Sequence, residues 1–191
     1  MKKYEVKMKH SEESLTALAH MQYDLFCSKD RNMKTVLAIV FFAIGALNIE
    51  SWWGLLLIAY GSYLFSSKYS AANRTAREIS QQLRDGGGDY PSSKYIFEEK
   101  AMRVITLPNN SELDPLPYSQ IAGLGEDMTS LYLFRNEYGG YMIPKSEIGD
   151  ENIVEFKKFI EKKSGKMFLS KASRFVGFRK WLRKRDEPYH L

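Results

Sequence analysis

The sequence predicts an α+β chain in which a two-helix transmembrane hairpin precedes an antiparallel sheet closed by a C-terminal helix. Three observations carry this expectation. Between Thr35 and Ser66 lie 32 residues with a single charge, Glu50, in a chain of which 27% is charged. After Gly86, Gly87 and Gly88 the hydrophobic period changes from helical to two. From Ile153 to Ile160 the apolar residues return to one helical face, which Gly165 stops.

Composition sets the outer bounds. At 191 residues the chain holds one ordinary domain with additions and excludes a large multidomain enzyme. The hydrophobic fraction of 44% excludes a disordered low-complexity chain, and one cysteine excludes a disulfide scaffold. The mean hydropathy of -0.38 averages a strongly apolar block with a strongly polar remainder.

Residues 1–32 read as a strand and a helix. Tyr4 to Met8 alternates, and Ser11 is placed to cap the helix that follows, with Glu12 and Glu13 at its positive end. Leu15, Leu18, Gln22, Leu25 and Phe26 fall near one face of that helix.

Residues 33–68 read as the hairpin. A spanning helix takes roughly 17–25 residues, so the apolar run is too long for one comfortable span and suits two short ones. Asn48, Glu50 and Ser51 supply the turn between a helix over Met33–Asn48 and another over Trp52–Ser67. Each would span about 24 Å against a hydrocarbon core of about 30 Å, so flanking side chains must reach back to the interface. Lys34 and Lys68 stand where such snorkelling needs them, and Trp52, Trp53 and Tyr69 suit an interfacial aromatic belt. Small residues recur seven apart, Ala38 with Gly45 and Gly54 with Gly61, which lets two backbones approach closely. The competing reading is a hairpin buried inside an all-helical domain. Lys29, Arg31 and Lys34 precede the first helix, and Lys68, Arg74 and Arg77 follow the second, so both termini are expected to face the cytoplasm. Cys27 then lies on the reducing side as an inert packed thiol.

Residues 69–91 read as a helix ended by the glycine-rich linker. In residues 92–164, Tyr95 and Phe97 alternate, and Met102, Val104 and Thr106 oppose Arg103, Ile105 and Leu107 in a hairpin. Asn109 to Pro117 reads as a loop. Tyr118 and Ile121 open another strand, followed by Ser130–Arg135 and Tyr141–Ile143, and Asp150 is a candidate cap for the last helix. A curled sheet of about five strands closed by one helix is the pleckstrin-homology-like (PH-like) arrangement.

The N-terminal strand and helix, the hairpin, Tyr95-Ile96-Phe97-Glu98-Glu99, Pro117-Tyr118-Ser119-Gln120-Ile121, and Met142-Ile143-Pro144-Lys145 before a helix carrying Glu155-Phe156 together resemble the YcxB-like family of small bacterial membrane proteins. The resemblance covers nearly the whole chain and implies integration in the bacterial cytoplasmic membrane. It supplies no catalytic residues.

Residues 165–191 form a basic amphipathic tail. From Lys163 to the C-terminus there are nine Lys and Arg against Asp186 and Glu187, a net +7 in a chain whose total is +5. Lys166, Lys171, Arg174, Arg179, Lys180, Arg183, Lys184 and Arg185 interleave with Phe168, Phe175, Phe178, Trp181 and Leu182 at roughly helical spacing. On anionic lipid such a segment buries its aromatics while each cation gains about 1 kcal/mol. A bilayer with anionic headgroups is therefore the expected partner, beside a protein partner or a second copy, and nucleic acid is the less favoured one.

Catalytic arrangements are not legible. His10, His20 and His190 lack metal-ligand spacing, neither phosphate-cradling glycine loop is present, and no Gly-x-Ser-x-Gly elbow occurs. Glu147, Asp150 and Glu151 complement a helix dipole, and Glu50 belongs to a turn. No cofactor or metal is expected. The function expected is binding or regulation by a membrane-anchored PH-like module. The alternatives are an immunity protein against a membrane-active toxin and, behind it, an enzyme using Tyr118, Glu126 and Lys145.

Overall fold

A computed structural model describes residues 4–85, 89–107 and 109–170, without the side chain of Lys68. The chain divides into a helical unit, Ser11–Tyr90, and a sheet unit built from the chain on either side of it.

In the sheet unit, β1 (Tyr4–Lys9) pairs antiparallel with β2 (Ser92–Phe97), which pairs with β3 (Ala101–Leu107) and then β4 (Ser111–Pro117). The period-two pattern works here as steric register. Val6 lies opposite Tyr95, Tyr95 opposite Val104 and Phe97 opposite Met102, and all five are buried. The segment Asn109–Pro117, expected as a loop, contains β4. Its residues 111–115 are exposed and Arg103 of β3 grips Glu112 through two hydrogen bonds, so an outer strand forms without hydrophobic alternation.

The second sheet has the order β7 (Gly140–Pro144), β6 (Ser130–Phe134), β5 (Gly123–Glu126), β8 (Phe168–Ser170). β8 runs parallel to β5 and the other pairs are antiparallel. Two sheets therefore replace the single curled sheet expected, and Tyr118–Gln120 is a 3₁₀ turn leading into β5. After β7 come the short α5 (Lys145–Ile148) and α6 (Asp150–Ser164); to keep chain order, the four helices of the other unit are α1–α4. Gly149, not Asp150, occupies the cap position of α6, and Gly165 ends it in the left-handed region at φ 67°. Phe156 and Ile160 of α6 are fully buried, and Phe156 meets Phe97 edge to face at 4.8 Å.

The helical unit contains α1 (Glu12–Phe26), α2 (Ser28–Leu47), α3 (Trp52–Ser66), a 3₁₀ turn at Ser67–Tyr69, and α4 (Ser70–Asp85). Ser11 caps α1 through a reciprocal pair with Ser14. The buried side chains of α1 are Ser14, Ala19, Met21, Tyr23 and Asp24, with Leu15, Leu18 and Leu25 only half-buried, so its inward face is rotated from the one expected. Ala19 and Tyr23 pack on Ala72 and Ala76 of α4, with Tyr69 at the margin.

The helical hairpin exists, but not as a membrane span. Among the described residues no helix is long and apolar enough to cross a membrane. α3 has 15 residues, about 22 Å at 1.5 Å per residue, short of a core of about 30 Å. α2 has 20 residues, but its first two turns carry Lys29, Asp30, Arg31 and Lys34. The transmembrane hairpin, and with it integration in the bacterial cytoplasmic membrane with both termini cytoplasmic, is overturned. The apolar run reached spanning length only when counted across its turn.

Candidate functional site

The most unusual surface lies on α2 and α3. Their contact is a seam of small residues: Ala38 and Gly45 of α2 and Gly54 and Gly61 of α3 are the buried positions of the two helices. A Cβ on Gly54 would fall onto the carbonyl of Asn48, one on Gly45 would lie 2.8 Å from the Gly54 carbonyl oxygen, and one on Gly61 3.2 Å from that of Ala38. The backbones touch because these side chains are missing.

Close backbone packing leaves the larger side chains outside. Leu47 is 85% exposed and Trp52 75%, and Val36, Ile39, Leu55, Leu56, Tyr60 and Tyr63 are also exposed. At 100° per residue the exposed positions of each helix cover about two-thirds of its circumference, with only the seam withheld. Apolar character on every outward side differs from the single stripe of a helix that packs on one neighbour. Three polar side chains within this surface bond to their own helices. Ser62 Oγ donates to the Ile58 carbonyl at 2.9 Å, Ser66 Oγ to that of Ser62 at 2.8 Å, and Asn48 Nδ2 to that of Ile44 at 2.9 Å. Those groups need no water.

A polar collar secures the base of the hairpin. Asp24, 3% exposed, accepts from the Arg31 guanidinium and, at 2.9 Å, from Tyr69 Oη. Tyr23 Oη donates to Asp30 at 2.6 Å, and Lys34 Nζ lies 3.1 Å from the same carboxylate. His20 stacks on Tyr69 at 4.7 Å, with Nε2 2.6 Å from Asn73 Oδ1. The hydrogen bond from Tyr23, then that from Lys34, holds the Asp30 carboxyl below the usual range. Burial, followed by the bond to Asp30, pushes the Tyr23 phenol well above its ordinary value, and burial followed by Asp24 raises Tyr69. The collar fixes direction, since Asp24 ties α1 to the start of α2 and to the residue that ends the return from α3.

Of the expected interfacial anchors, Trp52 and Trp53 are exposed, whereas Lys34 pairs with Asp30 and Tyr69 is packed into the collar. The side chain of Lys68 lies outside the described residues, as do the tail positions Lys171, Arg174, Phe175, Phe178, Arg179, Lys180, Trp181, Arg183, Lys184 and Arg185. Lys166 is exposed, and Phe168 belongs to β8 instead of a helix.

The sheet unit holds a second polar cluster. Glu126 accepts from Lys145 Nζ at 2.7 Å and Lys157 Nζ at 2.5 Å, and Lys145 also donates to the Asp127 carbonyl at 2.6 Å. Burial raises the Glu126 carboxyl, but the two lysines outweigh it and hold it below the usual carboxylate range. Tyr118 stands apart, its hydroxyl donating to the Glu98 carbonyl at 2.8 Å, so the three residues of the enzyme alternative do not converge. Glu126 is shared between the two lysines, so Lys145 is held by its carboxylate and by the Asp127 carbonyl together. Glu147 lies in the first turn of α5, and Asp150 and Glu151 in that of α6. Among the described residues no group of His, Cys, Asp or Glu side chains is arranged to hold a metal ion.

Sequence reasoning missed the collar because its members are spread over α1, α2 and α4. The available signal was a set of polar and aromatic residues, His20, Tyr23, Asp24, Asp30 and Arg31, crowded before an apolar run. No family model, curated protein or solved structure matches the chain, so its own surfaces carry the functional reading.

Proposed function

We propose that the chain is a binding or regulatory protein that attaches to a lipid surface with anionic headgroups and presents its sheet unit to a protein or lipid partner. Attachment is from one side, by entry of the hairpin tip, and no helix crosses. The observation that carries this reading is the hairpin, apolar on its outward sides with the hydroxyls of Ser62 and Ser66 bonded to its own backbone. Lipid is an apolar surrounding without preferred direction and fits such a surface better than one protein face does. Fully burying a side chain such as Leu55 or Ile39 is worth about 1.5–3 kcal/mol, so a few inserted residues suffice for attachment. The net +7 from Lys163 to the C-terminus adds attraction to anionic headgroups. The exposed first half of β4 is the edge the sheet unit offers a partner.

The test is flotation of the full chain with vesicles of phosphatidylcholine alone and of phosphatidylcholine mixed with phosphatidylglycerol. Binding is expected to both, stronger to the mixture and weakened there by salt. The double variant Trp52→Ser, Trp53→Ser is expected to lose binding to both. Equal flotation of that variant and the native chain would refute attachment through the hairpin.

A further inference from the structure

Glu50 is the one charged residue between Thr35 and Ser66, and it stands at the tip of the hairpin, in the turn from α2 to α3. The turn needs nothing from its side chain. Backbone groups close it: the Asn48 amide donates to the Gly45 carbonyl at 3.2 Å, the Ser51 amide to that of Asn48 at 3.0 Å, and the Gly54 amide to that of Ser51 at 3.0 Å. Glu50 is exposed, and among the described residues none forms a hydrogen bond or ion pair with its carboxylate.

Its surroundings are apolar. Ile49 is 60% exposed, Trp52 75% and Leu47 85%. Neither helix of the hairpin brings another charge to it. Along α2 the nearest is Lys34, about 24 Å away at 1.5 Å per residue, and α3 carries none. The carboxylate therefore serves neither the turn nor a neighbour, yet it stands on the part of the hairpin that enters lipid first. An ionised carboxylate is costly in hydrocarbon, whereas a protonated one carries no charge and costs far less.

We propose that Glu50 makes lipid attachment acid-favoured: the tip enters with the Glu50 carboxylate protonated, so binding takes up one proton from water. The step forms one O–H bond, cancels one negative charge and alters no other group. Because lipid favours the neutral form, affinity rises as pH falls, and the gain ends once the free chain is itself protonated. Burial of Trp52, Leu55 and their neighbours acts in the opposite direction to the charge, so Glu50 grades attachment and does not abolish it. The inference rests on attachment through the hairpin and names its regulation.

The test is flotation of the full chain over rising amounts of phosphatidylcholine vesicles, whose net charge is constant between about pH 7.5 and about pH 5. Acidification across that range is expected to raise the affinity of the native chain at least about tenfold. Glu50→Gln is expected to bind at the higher affinity at both pH values, and Glu50→Asp to keep the response. His10, His20 and His190 are present in every variant, so a response that they cause would persist in Glu50→Gln. Native binding that ignores pH, or a response that Glu50→Gln retains in full, would overturn the proposal and leave attachment standing. No binding at either pH, or binding that Trp52→Ser with Trp53→Ser leaves unchanged, would overturn attachment and this inference with it.

Discussion

The hairpin seam predicts a graded response to one repeated substitution, glycine to alanine. In a helix interior this change stabilises by about 0.5–1 kcal/mol, so any loss at the seam measures backbone contact. At Gly61 the new Cβ meets the Ala38 carbonyl oxygen at 3.2 Å and Phe41 Cβ at 3.4 Å, tight contacts that a small shift relieves. The two effects nearly cancel, and the expected net change is within about 0.5 kcal/mol. At Gly45 the Cβ lies 2.7 Å from Ile58 Cγ1 and 2.8 Å from the Gly54 carbonyl oxygen. The isoleucine can turn but the carbonyl cannot, and a net loss of about 1 kcal/mol follows. At Gly54 the Cβ falls onto the Asn48 carbonyl, the same group that accepts from the Ser51 amide at 3.0 Å to close the turn. Overpacking of about 1–3 kcal/mol then adds to a lost hydrogen bond of about 1 kcal/mol, for a net loss near 2–3 kcal/mol. For a unit the size of Ser11–Tyr90 the melting temperature falls by roughly 10–20 °C for Gly54→Ala and by about 4–8 °C for Gly45→Ala. Thermal melts by far-UV circular dichroism read this directly. If Gly54→Ala melted no lower than Gly61→Ala, the close backbone seam would be wrong.

The collar and the sheet cluster give further expectations. Asp24→Asn leaves Arg31, whose side chain is 12% exposed, without its carboxylate, and denaturant titration should show a loss of about 3–5 kcal/mol. The two lysines hold the Glu126 carboxyl below its ordinary value of 4.5, so its stabilisation is fully present above about pH 4.5 and is lost as pH falls through the lower folded value. Glu126→Gln should flatten that part of the acid titration, and an unchanged pH profile would detach the lysines from stability. The His10 amide donates to the Pro91 carbonyl at 3.0 Å, so β1 and β2 meet where the helical unit enters and leaves. Replacing residues 11–90 by Asn-Gly should therefore leave a folded sheet unit with dispersed amide signals, and a collapsed spectrum would mean the sheet depends on the helices.

What the sequence made legible follows the range of the forces involved. The hairpin helices were expected at Met33–Asn48 and Trp52–Ser67 and occur at Ser28–Leu47 and Trp52–Ser66, because Asn48, Glu50 and Ser51 mark the turn locally. The small-residue seam was legible for the same reason. Spanning capacity was misread because it belongs to each helix alone, and charged residues occupy the start of α2. β4 was hidden by Pro115, Pro117 and its acids, which belong to an outer strand that needs no apolar face. β8 was hidden inside a basic run, because three residues with Phe168 alone offer no alternation to read. The pairing of β1 with β2, and the meeting of Asp24 with Tyr69, are contacts across the helical unit that no local pattern encodes.

The most direct test of the central claim is the environment of one tryptophan. With Trp52 and Trp181 replaced by phenylalanine, Trp53 becomes the sole reporter at the hairpin tip. The account predicts that vesicles containing phosphatidylglycerol shift its fluorescence to the blue and that lipids brominated in their chains quench it, whereas the same Trp53 reporter chain with Leu55→Asp and Leu56→Asp shows neither effect. An emission spectrum for Trp53 that vesicles leave unchanged, in a chain that still floats with them, would contradict attachment through the hairpin.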